Sequence, residues 1–258
     1  MAATLIFQRA YPSDNTENRN MELDNYYSQD NGHIVFTRQQ GSDFAKSVAG
    51  DFNPIHDVDA KRFCVPGDLL FSLSLQRYGL SQQMRIQFSG MVADGTSLVF
   101  PDSDAPKLDI TDTDGKTYLS LERSGNTSRS AEQINALTRC YVQFSGHTFP
   151  HILVPLMAEH KLMINPDRPL VIYESMSISL DKLDFGIPEL ELRNAELNIQ
   201  GKRGDACLSF TVKSNGIDIG QGEKTMLLSG LRPFDQEKID TLVADYMACK
   251  QGYQALQH

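Results

Sequence analysis

Two neighbouring stretches decide both the fold and the chemistry of this chain: Gly50-Asp51-Phe52-Asn53-Pro54-Ile55-His56 and Val65-Pro66-Gly67-Asp68-Leu69-Leu70-Phe71. Pro54 fixes its own backbone and disfavours helical dihedrals at the residue before it, so the chain turns sharply between Asp51 and His56. We therefore expect these two side chains to face one small volume. A carboxylate and an imidazole placed together can hold a water molecule and exchange protons with it.

The second stretch predicts the start of a buried helix. Residues 67–75 are apolar on almost every side, which is typical of a central helix covered by other elements. The free backbone N–H groups and the positive dipole end of such a helix favour a developing oxyanion, so a carbonyl compound is the expected guest. Asp68 would be stabilised at this helix start by up to about 1 kcal/mol, but its charge would oppose a developing enolate.

These residues resemble the MaoC-like, (R)-specific enoyl-CoA hydratase branch of the hotdog-fold superfamily. That branch carries an Asp-x-Asn-Pro-x-His motif, and the chain matches it at Asp51, Asn53, Pro54 and His56. Gly67 matches the glycine whose N–H serves the family as oxyanion donor. The resemblance implies a catalytic set made of Asp51, Asn53, His56 and Gly67, with no cofactor and no metal.

The chain departs from this family at two positions beside the glycine. Pro66 and Asp68 stand where the family usually has His and Met, and the interval from His56 to Gly67 is shorter than is common. The run from Lys61 to Leu70 also resembles an uncharacterised bacterial family, from which no function follows.

Three functions are compatible with these residues. The first is reversible syn hydration of a trans-2-enoyl thioester of coenzyme A or acyl carrier protein, with Asp51 and His56 positioning the water, Asn53 orienting the pair and Gly67 binding the carbonyl oxygen. The second is a non-catalytic hotdog module that binds acyl thioesters or a protein partner, which the departures favour. The third is an acyl thioesterase in which Asp51 directs the same water at the carbonyl carbon.

Composition restricts the partners and the compartment. The formal net charge of -9 without a basic cluster argues against nucleic acid and against an anionic membrane. It is also a mild argument against coenzyme A, because the phosphates of that carrier need local basic residues. The four cysteines are widely separated, so neither a zinc site nor a disulfide framework is indicated. No apolar run reaches membrane-spanning length, and we expect a cytoplasmic protein.

The order of predicted elements indicates an α+β fold, a double hotdog in which a buried helix followed by an antiparallel meander occurs twice. The second buried helix is expected at Thr148 to Ala158, with structural roles for the nearby His147 and His151. Such a chain forms either a monomeric pseudo-dimer or a homodimer. The expected divisions are a partly flexible N-terminal segment at 1–32, a first repeat at 33–124, a linker at 125–133, a second repeat at 134–230 and a C-terminal surface helix at 231–258.

Overall fold

The computed structural model describes residues 22–256. Most of the expected N-terminal segment therefore lies outside the described residues. The described chain opens with short elements that lead to the Asp51 turn: a 3-10 turn (Leu23–Tyr26), β1 (Ser28–Asp30), β2 (His33–Val35), α1 (Arg38–Asp43), a π-helical turn (Phe44–Ala49) and a 3-10 turn (Pro54–His56). Thr37 and Gln40 form a capping box at the start of α1, so this helix begins where its first backbone donors find side-chain acceptors.

The helix predicted after Pro66 is confirmed as α2 (Gly67–Tyr78). Nine of its residues are buried, including Asp68, as expected for a helix that is apolar almost all round. An antiparallel meander follows, and its four strands are β3 (Leu80–Phe88), β4 (Leu98–Val99), β5 (Lys107–Asp112) and β6 (Thr117–Ser128).

The second long helix does not lie where the sequence pattern placed it. It is α3 (Ala131–Gly146), whereas the predicted segment Thr148 to Ala158 forms two short helices, α4 (Thr148–His151) and α5 (Leu153–Glu159). The predicted linker 125–133 is also mostly regular, because β6 continues to Ser128 and only Arg129 and Ser130 separate it from α3. The hydroxyl of Ser130 accepts from the N–H of Gln133, which fixes the start of the helix.

The remaining elements build the second meander and the C-terminal helix. They are β7 (Leu162–Met163), β8 (Val171–Leu180), β9 (Pro188–Gln200), β10 (Arg203–Ser214), β11 (Ile217–Ser229), β12 (Arg232–Pro233) and α6 (Gln236–Ala255). The predicted C-terminal helix is confirmed, but Ile239 and Tyr246 of α6 are buried, so this helix does more than cover the surface.

One antiparallel sheet joins the two meanders. Its ten strands run in the order β1-β2-β4-β5-β6-β3-β8-β11-β10-β9, and the pairing of β3 with β8 connects the halves, with Met84 opposite Ile178. α2 and α3 pack against each other and contact this sheet at β3 and β9, respectively, and the rings of Phe71 and Tyr141 lie 4.7 Å apart. The chain is therefore an α+β double hotdog, and the N-terminus of α2 lies beside the C-terminus of α3.

Candidate functional site

The turn that carries Asp51 rests directly on the end of α3. The π-helical turn is followed by Gly50, whose φ of 64° reverses the chain, and the N–H of Asp51 donates to the carbonyl of Ala45 at 2.8 Å. Gly146 faces this turn so closely that a Cβ there would overlap the carbonyl oxygen of Ala49. The position of Asp51 is therefore set by the main chain of both repeats.

The structure brings Asp51 and His56 together, as the motif predicts. Nε2 of His56 lies 3.7 Å from Oδ2 of Asp51, and the N–H of Asn53 donates to Oδ1 of Asp51 at 2.9 Å. The side-chain oxygen of Asn53 accepts from the N–H of Ile55 at 3.2 Å, which holds the intervening 3-10 turn. Asn53 thus orients the pair through its backbone and caps the turn with its side chain.

The second ring nitrogen of His56 defines the tautomer. Nδ1 lies 2.7 Å from the carbonyl oxygen of Cys64, and a carbonyl only accepts, so Nδ1 carries a proton. In the neutral ring, Nε2 is then an acceptor that faces the carboxylate of Asp51. Two acceptors at this distance are suited to one water molecule that donates a hydrogen bond to each of them. Such an arrangement can act as a general base for water.

Gly67 occupies the first turn of α2, and its lack of a side chain admits an aromatic ring. A Cβ at Gly67 would lie 2.8 Å from Cδ1 of Tyr173 and 3.3 Å from Cζ of Phe88. The carbonyl of Pro66 accepts from the N–H groups of Leu69 and Leu70, so the intrahelical bonds begin beyond Gly67. The N–H of Gly67 has no acceptor within the helix, as at every helix start, and an N–H of this kind can donate to an oxygen of a ligand.

A buried polar cluster that the sequence did not predict lies behind this helix start. Oγ of Ser145 donates to Oδ2 of Asp68 at 2.5 Å and accepts a hydrogen bond from Nζ of Lys224. Nζ of Lys224 also lies 4.3 Å from the centre of the Tyr173 ring. Asp68 and Lys224 are only 6% and 5% exposed, and Oδ1 of Asp68 has no partner within residues 22–256.

Burial and mutual attraction act in opposite directions on these two groups. Burial raises the pKa of Asp68, while the charge of Lys224 and the hydrogen bond from Ser145 act to lower it. Burial lowers the pKa of Lys224, while the charges of Asp68 and Asp51 act to raise it. Because Asp51 acts on both groups, the Asp51 turn and the buried cluster form one electrostatic unit.

Both parts of this unit line a single cavity of about 560 Å³ between the two repeats. Asp51, His56, Gly67, Asp68 and Lys224 contribute its polar wall. An apolar wall is formed by residues of one hydrophobic cluster, drawn from the second repeat and α6: Phe149, Leu153, Ile164, Val171, Met226 and Leu242. A polar wall with an apolar extension is suited to an acyl compound.

His147 and His151 of the second repeat are not part of the cavity wall. Because the second long helix is α3, His147 and His151 follow its C-terminus, and neither lines the cavity. Their rings are 6.1 Å apart, and Nδ1 of His147 lies 2.7 Å from the carbonyl oxygen of Gln143. The structural roles expected for them stay a prediction.

The sequence predicted the site residues of the local motif, but it missed those that lie far from the motif along the chain. Ser145, Tyr173, Lys224 and Tyr246 come from α3, β8, β11 and α6. The one signal for Lys224 was its position on the buried face of β11, where Met226 and Leu228 follow at the same alternation.

Comparisons with known proteins give a family and weak structural likenesses. The model of a family described as "Protein of unknown function (DUF3581)" matches residues 21–237. No curated protein matches the sequence. In the described chain, no helix combines the length and the apolar character needed to cross a membrane.

The solved structures to which the chain is similar include two classes of enzyme. An acyl-CoA thioesterase II from Mycobacterium marinum is 11% identical over 66% of this chain and 90% of that chain, with a TM-score of 0.36. A MaoC-like dehydratase is 10% identical over 80% and 98%, with a TM-score of 0.41. The peroxisomal multifunctional enzyme type 2 from Drosophila melanogaster is 12% identical over 76% and 47%, also at 0.41. Likenesses at this level carry no argument about activity.

Proposed function

This chain belongs to the DUF3581 family, and we propose that it acts on an acyl thioester, as a MaoC-like hydratase that adds water reversibly and syn to a trans-2-enoyl group. The observation that carries this proposal is the pair of acceptors formed by Oδ2 of Asp51 and Nε2 of His56, 3.7 Å apart in the wall of the cavity. The carrier is coenzyme A or acyl carrier protein.

The reaction begins with the water held between the two acceptors. One of them takes a proton from this water while the water oxygen bonds to C3 of the enoyl group. The C2–C3 π electrons become the C1–C2 double bond of an enolate, and the carbonyl π electrons move onto the thioester oxygen. The pair then returns a proton to C2, which takes up the C1–C2 π electrons as the carbonyl re-forms. Because Asp51 and His56 lie on one side of the cavity, the hydroxyl and the proton arrive on the same face of the substrate, which gives syn addition.

The enolate oxygen needs a donor that is in place before the reaction. The N–H of Gly67 at the start of α2 supplies it, assisted by the dipole of the helix. The adjacent carboxyl of Asp68 does not occupy this donor, because it turns to Ser145 and is balanced by Lys224. Residues of the second repeat thus accommodate Asp68, which departs from the pattern of the MaoC-like hydratases.

The test is turnover of short and medium trans-2-enoyl-CoA esters by the purified protein, followed by loss of absorbance of the conjugated enoyl group. Asp51→Asn and His56→Ala should each lose about 10²–10⁴-fold in kcat. The exposed Asp59→Asn and His160→Ala are matched controls that should retain wild-type rates. All four variants must first show wild-type circular dichroism.

Two other outcomes would replace this proposal. Release of free thiol without formation of a hydroxyacyl product identifies a thioesterase that uses the same water. Absence of both products, with acyl-CoA still raising the Tm, identifies a binding module. Failure of every acyl thioester to react or to shift the Tm would overturn thioester recognition altogether.

A further inference from the structure

Tyr246 of the C-terminal helix contacts the main chain on both sides of Asp51. Its hydroxyl oxygen accepts from the N–H of Phe52 at 3.2 Å and lies 3.4 Å from the carbonyl oxygens of Gly50 and of Gly146. A phenol has one proton, so it donates to one of these two carbonyls at a time. One side chain thus joins the Asp51 turn of the first repeat to the end of α3 in the second.

The ring of Tyr246 is held so that its hydroxyl reaches these groups. It lies 5.2 Å from the ring of Phe149 and 6.0 Å from that of Phe52, both edge to face, and the residue is 7% exposed. Burial raises the pKa of the Tyr246 hydroxyl well above its ordinary value, so the hydroxyl keeps its proton at neutral pH. The Tyr246 hydroxyl can therefore both donate and accept a hydrogen bond throughout the neutral pH range.

α6 also forms part of the cavity. Leu242, Asp245, Tyr246 and Cys249 line it, which are the i, i+3, i+4 and i+7 positions of one helix face. The family model ends at residue 237, so this face lies beyond the segment that the model matches. Nothing in the motif Asp-x-Asn-Pro-x-His requires such a helix.

We propose that Tyr246 is a positioning residue for Asp51: its hydroxyl fixes the peptide groups at Gly50 and Phe52, and so sets the distance of the Asp51 carboxylate from Nε2 of His56. This inference rests on the proposed function for its effect on catalysis. Its structural part, the hold of Tyr246 on the turn, is independent of any activity.

The decisive variant is Tyr246→Phe, which removes the hydroxyl and keeps the ring contacts. Because a displacement of about 1 Å in a reacting group costs up to about 10²-fold in rate, we expect kcat to fall by about ten- to a hundredfold with KM within about twofold of wild type. The pH profile of kcat should also shift. Tyr253→Phe is the matched control. The Tyr253 ring also packs on that of Phe52, at 5.7 Å, but Tyr253 lies two turns further along α6 than Tyr246.

The second measurement is amide hydrogen exchange of Phe52, which requires no substrate. In wild type and in Tyr253→Phe this amide should be protected, and in Tyr246→Phe it should exchange at least tenfold faster while the Tm stays near that of wild type. A role of Tyr246 in general stability alone would instead lower the Tm and leave kcat and its pH profile unchanged.

The two measurements separate the inference from the proposed function. If the wild type turns over enoyl thioesters and Tyr246→Phe matches it in kcat and pH profile, the positioning role is overturned and the hydratase stands. If the wild type has no activity, the hydratase fails, and exchange at Phe52 decides the inference: faster exchange in Tyr246→Phe supports the hold on the turn, and unchanged exchange overturns it.

Discussion

Asp68 and Lys224, which belong to different repeats, are joined through one hydroxyl group. Oγ of Ser145 donates to the carboxylate of Asp68 and accepts from the ammonium of Lys224, so a buried charge on α2 is balanced by one on β11. Removing one partner of a buried pair leaves an uncompensated charge, whereas removing both is often neutral. The cluster therefore contributes little net stability and makes each charge dependent on the other.

Lys224→Met should lower the free energy of unfolding by about 3–5 kcal/mol, because the carboxyl of Asp68 is left buried without its cation. The double variant Lys224→Met with Asp68→Asn should recover most of this loss. Urea unfolding of the wild type, the two single variants and the double variant gives the coupling energy directly. Additive effects of the two substitutions would show that the charges do not interact.

The stability contribution of Asp68 should depend on pH with a defined sign. Burial raises the pKa of Asp68 above its ordinary value of 3.8, so the folded protein binds this proton more tightly than the unfolded chain. The corresponding stability is fully present below about pH 4 and is lost as the pH rises through the folded-state pKa. Asn at this position does not titrate.

The measurement is the difference in unfolding free energy between wild type and Asp68→Asn at several pH values from about 4 to 7. We expect the wild type to lose stability relative to the variant as the pH rises over this interval. A difference that stays constant, or that changes in favour of the wild type, would show that the pKa of Asp68 is not raised by folding. Asp59→Asn, an exposed substitution of the same type, should show no such trend.

The sequence predicted those parts of the molecule whose signals are local. α2 was predictable because an all-round apolar helix follows a proline, and the Asp51–His56 pair because both residues lie in one short turn. α3 was missed because the polar residues at 125–128 look like the start of a linker, and the predicted linker 125–133 covered the first turn of this helix. Residues 125–128 form the end of β6. Ser145 lies 77 positions from Asp68, and Tyr246 lies 194 positions from Phe52, so only the folded chain brings them together.

Gly146→Ala should destabilise the protein strongly. The new methyl group would overlap the carbonyl oxygen of Ala49, and neither main-chain segment can yield without moving the Asp51 turn or the end of α3. Overpacking of this kind costs about 1–3 kcal/mol or more. Thermal unfolding should show a lower Tm, and any enoyl hydration should fall with it.

Gly252→Ala is the matched control for this substitution. Gly252 lies in α6 with no atom within 4 Å of an added Cβ, so alanine should stabilise the helix by up to about 1 kcal/mol. If Tm falls in Gly146→Ala and rises in Gly252→Ala, the effect at Gly146 comes from the close main-chain approach and not from the loss of a glycine in general. Equal Tm values for the two variants would mean that Gly146 does not touch the turn.

Val171 and Leu242 line the apolar wall of the cavity from opposite elements, β8 and α6, and both are half-buried. If the acyl chain occupies this wall, Val171→Phe should exclude its terminal carbons and Leu242→Ala should admit more of them. Each buried methylene contributes about 0.8 kcal/mol, so one excluded methylene lowers kcat/KM for the longer substrate by about fourfold.

The expected result is opposite shifts in chain-length preference, measured as kcat/KM across a series of enoyl-CoA esters. Ile187→Phe, at a site 72% exposed and outside the cavity, should leave the series unchanged. A change in overall stability alters kcat/KM for all chain lengths alike, whereas a change in the wall alters kcat/KM only for the chains that reach it. Shifts in the same direction in the two cavity variants would therefore place the acyl chain elsewhere.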